Sequence, residues 1–509
     1  MDREQFRKAA YAAADRICDY FEKLEKRDVV PNVQPGDIAG LLPQAPPENG
    51  EEWSEIAGDF DRVVLPGITH WQHPSFFAYF PANTNYESIL ADMYAGAVSN
   101  PGFNWSCSPT CTELESVVMD WVAKLLGLDS RFHNASGVGA GVLNTTASEG
   151  CLVVCIAARE RYLRLYPDTR ASDFVIIATD QTHSLAAKAA KLLGLSFHAI
   201  QTKKENDWSL RGDQLREELE MLKGQGKKPF ILIATLGSTS TGAIDNIPEI
   251  TAVTADYPEL FLHVDAAWGG VQLALPECRP ESFADAINAS AVEGKRGEVH
   301  SLIVNLHKSG LVMFDASCLW TGDRSLLTEA LDVTPHYLKT EQAEQGQVVD
   351  LRNMGLALGR RFRSLKVWFV LRSYGVSGFQ KHLTRLNDLT VVLERLVTGE
   401  IDGVEKLDVE LFTPRRFHLL VLHVRALPSA EVDKLDAAAL LAYENALNAA
   451  VYKISTGDHS LMITATSVGG QECVRIAVGS SQTEERHLRE LVEKLRGMIK
   501  RAREETPLP

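Results

Sequence analysis

Apolar positions along this chain fall into three successive patterns. Over residues 4–27 they recur every three to four positions, placing Phe6, Ala10, Ala14, Ile17, Tyr20 and Phe21 on one stripe, which predicts an amphipathic helix. A proline-rich stretch from Val30-Pro31 to Pro46-Pro47-Glu48-Asn49-Gly50 then excludes a regular helix or a central strand. A second helix is expected over 52–64. Residues 1–83 thus hold two helices and an extended arm, too little for a core of their own, and are expected to pack on a partner subunit. From about 110 the pattern changes. An amphipathic helix over 112–127, ended by Gly127, leads into alternating apolar runs and amphipathic segments. Strands are predicted at 173–178, 195–200, 229–236, 260–265, 301–305 and 316–321, and helices at 149–165, 183–193, 211–223, 246–256 and 322–331. This alternation implies a mostly parallel sheet covered on both faces, with ligands at the carboxyl ends of its strands. After residue 378 come a helix, short strands at 417–424, 460–465 and 472–478, and a terminal helix at 483–502. The expected division is an arm (1–83), a large domain (84–378) and a small α/β domain (379–509).

Composition narrows the function classes. A net charge of −15 argues against nucleic acid or an anionic membrane as the main partner. No apolar run is long enough to span a bilayer. The charged start Met1-Asp2-Arg3-Glu4 lacks the apolar segment of a secretory signal, so a cytosolic protein is expected. The cysteine pairs Cys107/Cys111 and Cys151/Cys155 have neither CxxC spacing nor a nearby histidine, and read as reduced, mostly buried thiols. No metal site is expected.

The candidate chemistry sits at strand ends. Lys308 lies just beyond the apolar run Ser301-Leu302-Ile303-Val304, in Asn305-Leu306-His307-Lys308. Burial there lowers an amine's pKa and suits it to attack an aldehyde such as that of pyridoxal phosphate (PLP). Upstream, the run Leu260-Phe261-Leu262-His263-Val264 ends in Asp265, a carboxylate able to keep a pyridine nitrogen protonated. Three further elements are ambiguous when taken singly. The run Gly137-Val138-Gly139-Ala140-Gly141, leading to Ala147 and Ser148 at a helix start, reads as a phosphate site or as a plain loop with a cap. It has neither dinucleotide spacing nor a Walker lysine. His183 could stack on a flat cofactor or cap a helix. The loop Gly237-Ser238-Thr239-Ser240-Thr241-Gly242 could offer hydroxyls or simply turn. Five such elements at the strand ends of one sheet favour a site over chance.

Several longer stretches carry a resemblance. Pro66-Gly67-Ile68-Thr69-His70-Trp71, His73-Pro74-Ser75-Phe76-Phe77-Ala78-Tyr79-Phe80-Pro81, Ser108-Pro109-Thr110-Cys111-Thr112-Glu113-Leu114-Glu115, His263-Val264-Asp265-Ala266-Ala267 and Gly359-Arg360-Arg361-Phe362-Arg363-Ser364-Leu365-Lys366 resemble the group II PLP-dependent decarboxylases, specifically the aromatic-L-amino-acid decarboxylase family. The resemblance implies a fold-type I PLP enzyme that is homodimeric, with its active site at the subunit interface. It implies that Lys308 bonds the cofactor, Asp265 pairs with the pyridine nitrogen, and His183 stacks on the ring and helps orient the substrate carboxylate. Ala147, Ser148 and Asn305 would hold the phosphate, Thr239 would lie near the ring hydroxyl and Ala267 beneath the ring, and His307 is counted with the cofactor residues. Trp71, Tyr79, Phe80 and Pro81 would line an aromatic pocket, with Phe103 from the partner; without the resemblance they read as core aromatics. Tyr337, in the loop Val333-Thr334-Pro335-His336-Tyr337-Leu338-Lys339, would return the proton after CO2 leaves.

The expected reaction is decarboxylation of an aromatic L-amino acid to its amine. Gly359 leaves room for a bicyclic ring, which favours tryptophan or 5-hydroxytryptophan, with DOPA, tyrosine and phenylalanine open. The alternatives are an aromatic acetaldehyde synthase, against which Tyr337 argues because in some relatives phenylalanine there goes with aldehyde synthesis, and a catalytically silent scaffold. The chain departs from the family pattern at three places. Ser309, followed by Gly310, stands where the family usually has tryptophan, which is expected to remove a packing group and loosen the backbone beside Lys308. Ala82 replaces a small hydroxyl residue at the pocket wall, and Pro101 is expected to stiffen the partner-contributed edge.

Overall fold

Nearly every position of the central strands is apolar, and the structure buries both of their faces. The computed structural model describes residues 1–279, 281–288, 297–401 and 403–508. Seven strands form one sheet: β1 (Ala140–Asn144), β2 (Phe174–Thr179), β3 (Ser196–Ile200), β4 (Lys228–Thr235), β5 (Phe261–Asp265), β6 (Ser301–Asn305) and β7 (Ser317–Thr321), in the order β1-β7-β6-β5-β4-β2-β3. The pairs from β6 through β5, β4 and β2 to β3 are parallel, and β7 runs antiparallel to both β6 and β1. Alternate residues enter opposite cores: Leu232, Leu262, Val264 and Val304 on one side, Ile176, Ile231, Ile233 and Ile303 on the other.

All six strands expected for this sheet are present, within a residue or two. The seventh, β1, lies partly in the glycine-rich run read above as a loop. Its glycines serve close packing: a Cβ at Gly139 would meet the Arg131 carbonyl oxygen at 1.8 Å, and one at Gly141 the Trp320 Nε1 at 2.7 Å. The expected helices also form, as Pro109–Leu126, Ala147–Leu165, Leu185–Leu193, Gly212–Gly224, Ile247–Thr254 and Ser325–Leu331. The first begins at the Ser108 cap with Pro109 in its first turn and ends at Gly127 with φ +73°.

A second, antiparallel sheet of β8 (Val409–Leu411), β9 (Leu419–Val424), β10 (Thr464–Val468) and β11 (Gln471–Ala477) has the order β10-β11-β9-β8. Helices Ala437–Ser455 and Glu485–Glu505 accompany it. Strand β8 is too short to register as a pattern. The strand expected at 460–465 begins later because the positive-φ pair Gly469-Gly470 makes the hairpin that sets the register, with Val468 opposite Gln471. Helix Ser364–Thr398 links the two sheets and breaks its helical geometry at Gly375, three residues before the expected boundary of the small domain.

The arm differs from expectation in two respects. Its proline-rich stretch does contain a helical turn, Asp37–Leu41, which fits between Pro35 and Pro43 because neither ring lies inside it. Its last part packs on this chain's own small sheet: the Phe77 N–H donates to the Met462 carbonyl (2.8 Å), and the Ala477 N–H donates to the Phe77 carbonyl (2.9 Å). Helix Arg3–Lys23 buries none of its residues; Phe6 of the predicted stripe is exposed, as is Tyr11 outside it.

Candidate active site

Five strand ends meet along one edge of the large sheet, because β1, β2, β4, β5 and β6 all point the same way. The residues that follow them line a single cavity: Thr146, Ala147 and Ser148 after β1, His183 and Leu185 after β2, Thr235, Gly237 and Thr239 at β4, Asp265, Ala267 and Trp268 at β5, and Asn305, His307 and Lys308 after β6. Every cofactor residue expected from the sequence therefore lies in one cavity. Thr235, Leu185 and Trp268 were not foreseen, although Trp268 adjoins Ala267 and Leu185 lies two residues past His183.

Electrostatics single out three groups. Burial brings the Lys308 amine down to about 8, with Asp265 opposing the shift and Arg475 assisting it. Burial pushes the Asp265 carboxyl up, opposed by the Ala267 N–H that it accepts at 3.1 Å and by the charges of Lys308 and His183. His183 is lowered by burial and by Lys308, against Asp265. Its Nδ1 accepts the Leu185 N–H (3.1 Å), so the ring starts the following helix while facing the cavity. The two sequence-level roles for His183 are thus compatible. His307 accepts the Ala316 N–H through Nδ1 (2.9 Å), and burial lowers it to about 4.

The remaining geometry suits PLP. Ala147 and Ser148 open a helix whose first N–H groups have no helical partner, and the Thr146 side chain takes only that of Glu149. The buried Asn305 Oδ1 has no hydrogen-bond partner among the described residues. An anion cradle, a lysine of lowered pKa and a buried carboxylate are the donor set this cofactor requires.

The predicted substrate residues are divided. Phe80 is buried, with the Lys308 ammonium 5.1 Å from its ring centre, and it stacks on Trp268 at 4.3 Å. Pro81 is buried beside Gly479. Trp71 and Tyr79 stack on each other at 5.6 Å and are exposed, with Tyr79 at φ +49°, a strained value for a residue with a side chain. None of Trp71, Tyr79, Phe80, Pro81, Phe103 and Gly359 is among the residues lining the cavity of this chain; Gly359 lies beside Pro101, and the Arg360 N–H donates to the Pro101 carbonyl (2.6 Å). Tyr337 is 79% exposed on its loop and does not line the cavity.

Two residues that pattern reading passed over stand close to Lys308. Asn83 donates through Nδ2 to the Lys308 carbonyl (2.9 Å) and to the Gly479 carbonyl (3.0 Å), tying the arm and the small domain to the lysine. Arg475, on β11, is only 3% exposed, and its guanidinium lies 4.2 Å from the Phe80 ring centre. Its Nε and Nη2 have no partner among the described residues, and burial lowers it to about 9. A strand arginine ordinarily reads as a surface residue, so nothing in the local pattern marks it. The expected loosening beside Lys308 is absent at Gly310: a Cβ there would meet the Leu306 carbonyl oxygen at 2.6 Å, so this glycine is tightly packed.

Comparison with known proteins agrees with this geometry. The pyridoxal-dependent decarboxylase conserved domain matches residues 35–410. The 3,4-dihydroxyphenylacetaldehyde synthase of Drosophila melanogaster is 41% identical over 78% of this chain and 77% of its own length. The aromatic-L-amino-acid decarboxylase of Catharanthus roseus is 36% identical over 97% of this chain and 94% of its own. The crystal structure of Oryza sativa TDC with PLP and tryptamine superposes with a TM-score of 0.89 at 32% identity, covering 100% of this chain and 99% of that one.

Proposed function

Because the chain belongs to the pyridoxal-dependent decarboxylase family, we propose that it removes the carboxyl group of an aromatic L-amino acid, tryptophan or 5-hydroxytryptophan before DOPA, tyrosine or phenylalanine, and releases the amine. It is a carboxy-lyase, and its cofactor is pyridoxal 5'-phosphate. The observation that carries the reading is the grouping of Lys308, of lowered pKa, with Asp265 and His183 at strand ends of one sheet.

When bound, the cofactor supplies an electron sink for the pair left behind as CO2 departs. Lys308 Nζ would hold the cofactor through its aldehyde, and much of the amine is in the neutral, nucleophilic form near pH 8. Asp265 holds the proton on the pyridine nitrogen, and its burial strengthens that pairing. Ala147, Ser148 and Asn305 bind the phosphate. Thr239 would serve the ring hydroxyl, Ala267 would pack against the ring, and His183 would stack on it and orient the substrate carboxylate. Arg475, a buried cation beside Phe80, attracts the anionic substrate. Phe80, Pro81, Trp71 and Tyr79 receive the aromatic ring, with Phe103 reaching it from a second copy of the chain. Tyr337 delivers the proton that completes the amine.

We further propose a homodimer. The arm, the segment that follows it and helix Tyr86–Val98 leave Phe6, Tyr11, Trp53, Phe60, Leu90, Met93 and Tyr94 exposed, an apolar surface that a partner would cover. No helix among the described residues is long and apolar enough to cross a membrane, which is compatible with the proposed cytoplasmic location.

A second reading, an aromatic acetaldehyde synthase, is favoured by the similarity to aldehyde synthases. The experiment that separates the two incubates the protein, PLP and five competing aromatic amino acids in air, and quantifies amine, aldehyde and peroxide together. Amine without peroxide is expected, and the dominant amine identifies the substrate. Aldehyde with matching peroxide makes the protein a synthase.

A further inference from the structure

Beside Lys308, the small domain inserts one imidazole against the neighbouring Ser309. His418 is fully buried immediately before β9, and it follows Phe417, a non-glycine residue held at φ +50°. Its Nε2 accepts the Trp268 indole N–H at 3.1 Å and lies 2.7 Å from the Ser309 Oγ. An indole nitrogen can only donate, so Nε2 carries no proton, and the Ser309 hydroxyl must donate to the same atom. The ring is therefore neutral with its proton on Nδ1. Burial lowers its pKa to about 3, and His382 and Arg475, the titratable groups facing it, push in the same direction.

The two donors bracket the lysine. Ser309 is its chain neighbour. Trp268 follows Ala267, lines the cofactor cavity and stacks on Phe80, whose ring faces the Lys308 ammonium. His418 meets Trp268 edge-on at 5.3 Å and Phe80 at 6.4 Å. Serine at 309, a departure from the family's usual tryptophan, thus supplies half of a two-donor clasp.

We propose that His418 is a positioning residue. Through one acceptor nitrogen it fixes Ser309 and Trp268, and so sets the placement of Lys308 and of the wall the cofactor ring meets, without touching cofactor or substrate itself. This rests on the reading of Lys308 as the cofactor lysine. Small displacements of a reacting group cost large factors in rate, so the clasp belongs to turnover and cofactor geometry more than to substrate binding.

The test compares the holoenzyme with His418→Leu, His418→Gln, Ser309→Ala, Trp268→Phe and Lys308→Ala. It measures the Kd of the apo forms for added pyridoxal 5'-phosphate, visible circular dichroism, the borohydride-trapped peptide, and kcat and KM per bound cofactor. His418→Leu is expected to weaken cofactor binding, alter the visible dichroism and lower kcat by roughly ten- to a hundredfold with a much smaller change in KM. Glutamine, whose Oε1 can accept both donors, is expected to restore most of this. A general loss of stability would reduce the fraction of loaded sites without lowering kcat per site. Wild-type Kd, dichroism and kcat in His418→Leu overturn the proposal. Should that variant not fold, wild-type values in both Ser309→Ala and Trp268→Phe overturn it. Trapping at a residue other than Lys308 in the wild type instead overturns the reading of Lys308, and this proposal with it.

Discussion

Individual residues carry the chemistry, and three of them have sharp consequences. Lys308 is brought to about 8 by burial, from an ordinary amine value of 10.5. The neutral amine is the nucleophile, so capture of PLP by the apoprotein is expected to rise with pH and reach half its maximum near 8. Stopped-flow measurement of cofactor binding across pH checks this, and a midpoint near 10 would mean that burial does not act. The same shift makes the native chain bind fewer protons than the unfolded chain between about 8 and 10.5, so Lys308 contributes stability that increases with pH across that window. Tyr337, exposed on its loop, is assigned the returning proton. Tyr337→Phe is expected to divert product from amine to aldehyde and peroxide, measured as the ratio of the two products; an unchanged amine yield would remove the assignment. Gly359 has open space where a side chain would begin, with only the Pro101 Cβ at 4.0 Å. Serine therefore fits without disturbing the fold. Gly359→Ser is expected to lower tryptophan turnover relative to tyrosine by a few-fold, within the range that one or two atoms of pocket volume provide.

At the scale of elements, the long helix Ser364–Thr398 is the most informative. Gly375 has φ +63° and ψ 179°, a region that residues with a Cβ rarely enter, and no atom lies within 4 Å of the position a Cβ would take. Its glycine is required by backbone conformation alone. Gly375→Ala is expected to destabilise the protein by about 1–3 kcal/mol, read by denaturant unfolding; no change in midpoint would show that the helix straightens without penalty. The same distinction explains how the elements read in sequence. Strands β2, β4, β5 and β6 are legible because their runs are mostly apolar, as burial on two faces demands. Strand β1 is not, because Gly141 within it and Gly139 just before it answer to close packing against Trp320 on the neighbouring strand and the Arg131 backbone.

For the whole molecule, the exposed first part of the arm is the outstanding feature. Helix Arg3–Lys23 forms its own capping box at Asp2 and Gln5 yet buries nothing, and exposed aromatics continue through Trp53 and Phe60 to Tyr94. Analytical ultracentrifugation is expected to give a dimer, and Trp53→Glu with Phe60→Glu to weaken it. A monomeric wild type that retains full activity would contradict an interface active site.

Much of the site was legible in sequence. Lys308, Asp265, His183, Ala147, Ser148, Thr239, Ala267, Asn305 and His307 follow directly on strand ends, and strand direction alone brings such residues to one edge. Local periodicity also determined the alternation of strands and helices, since it reports which faces are dry. Tertiary structure alone decided the rest: the antiparallel insertion of β7, the seating of the Phe77 segment on the small sheet, and the approach of Arg475, Asn83 and His418 to the lysine. Apart from the pairing of β7 with β6, those contacts join positions more than a hundred residues apart. They depend on how two sheets dock, and docking leaves no periodic signature in the chain.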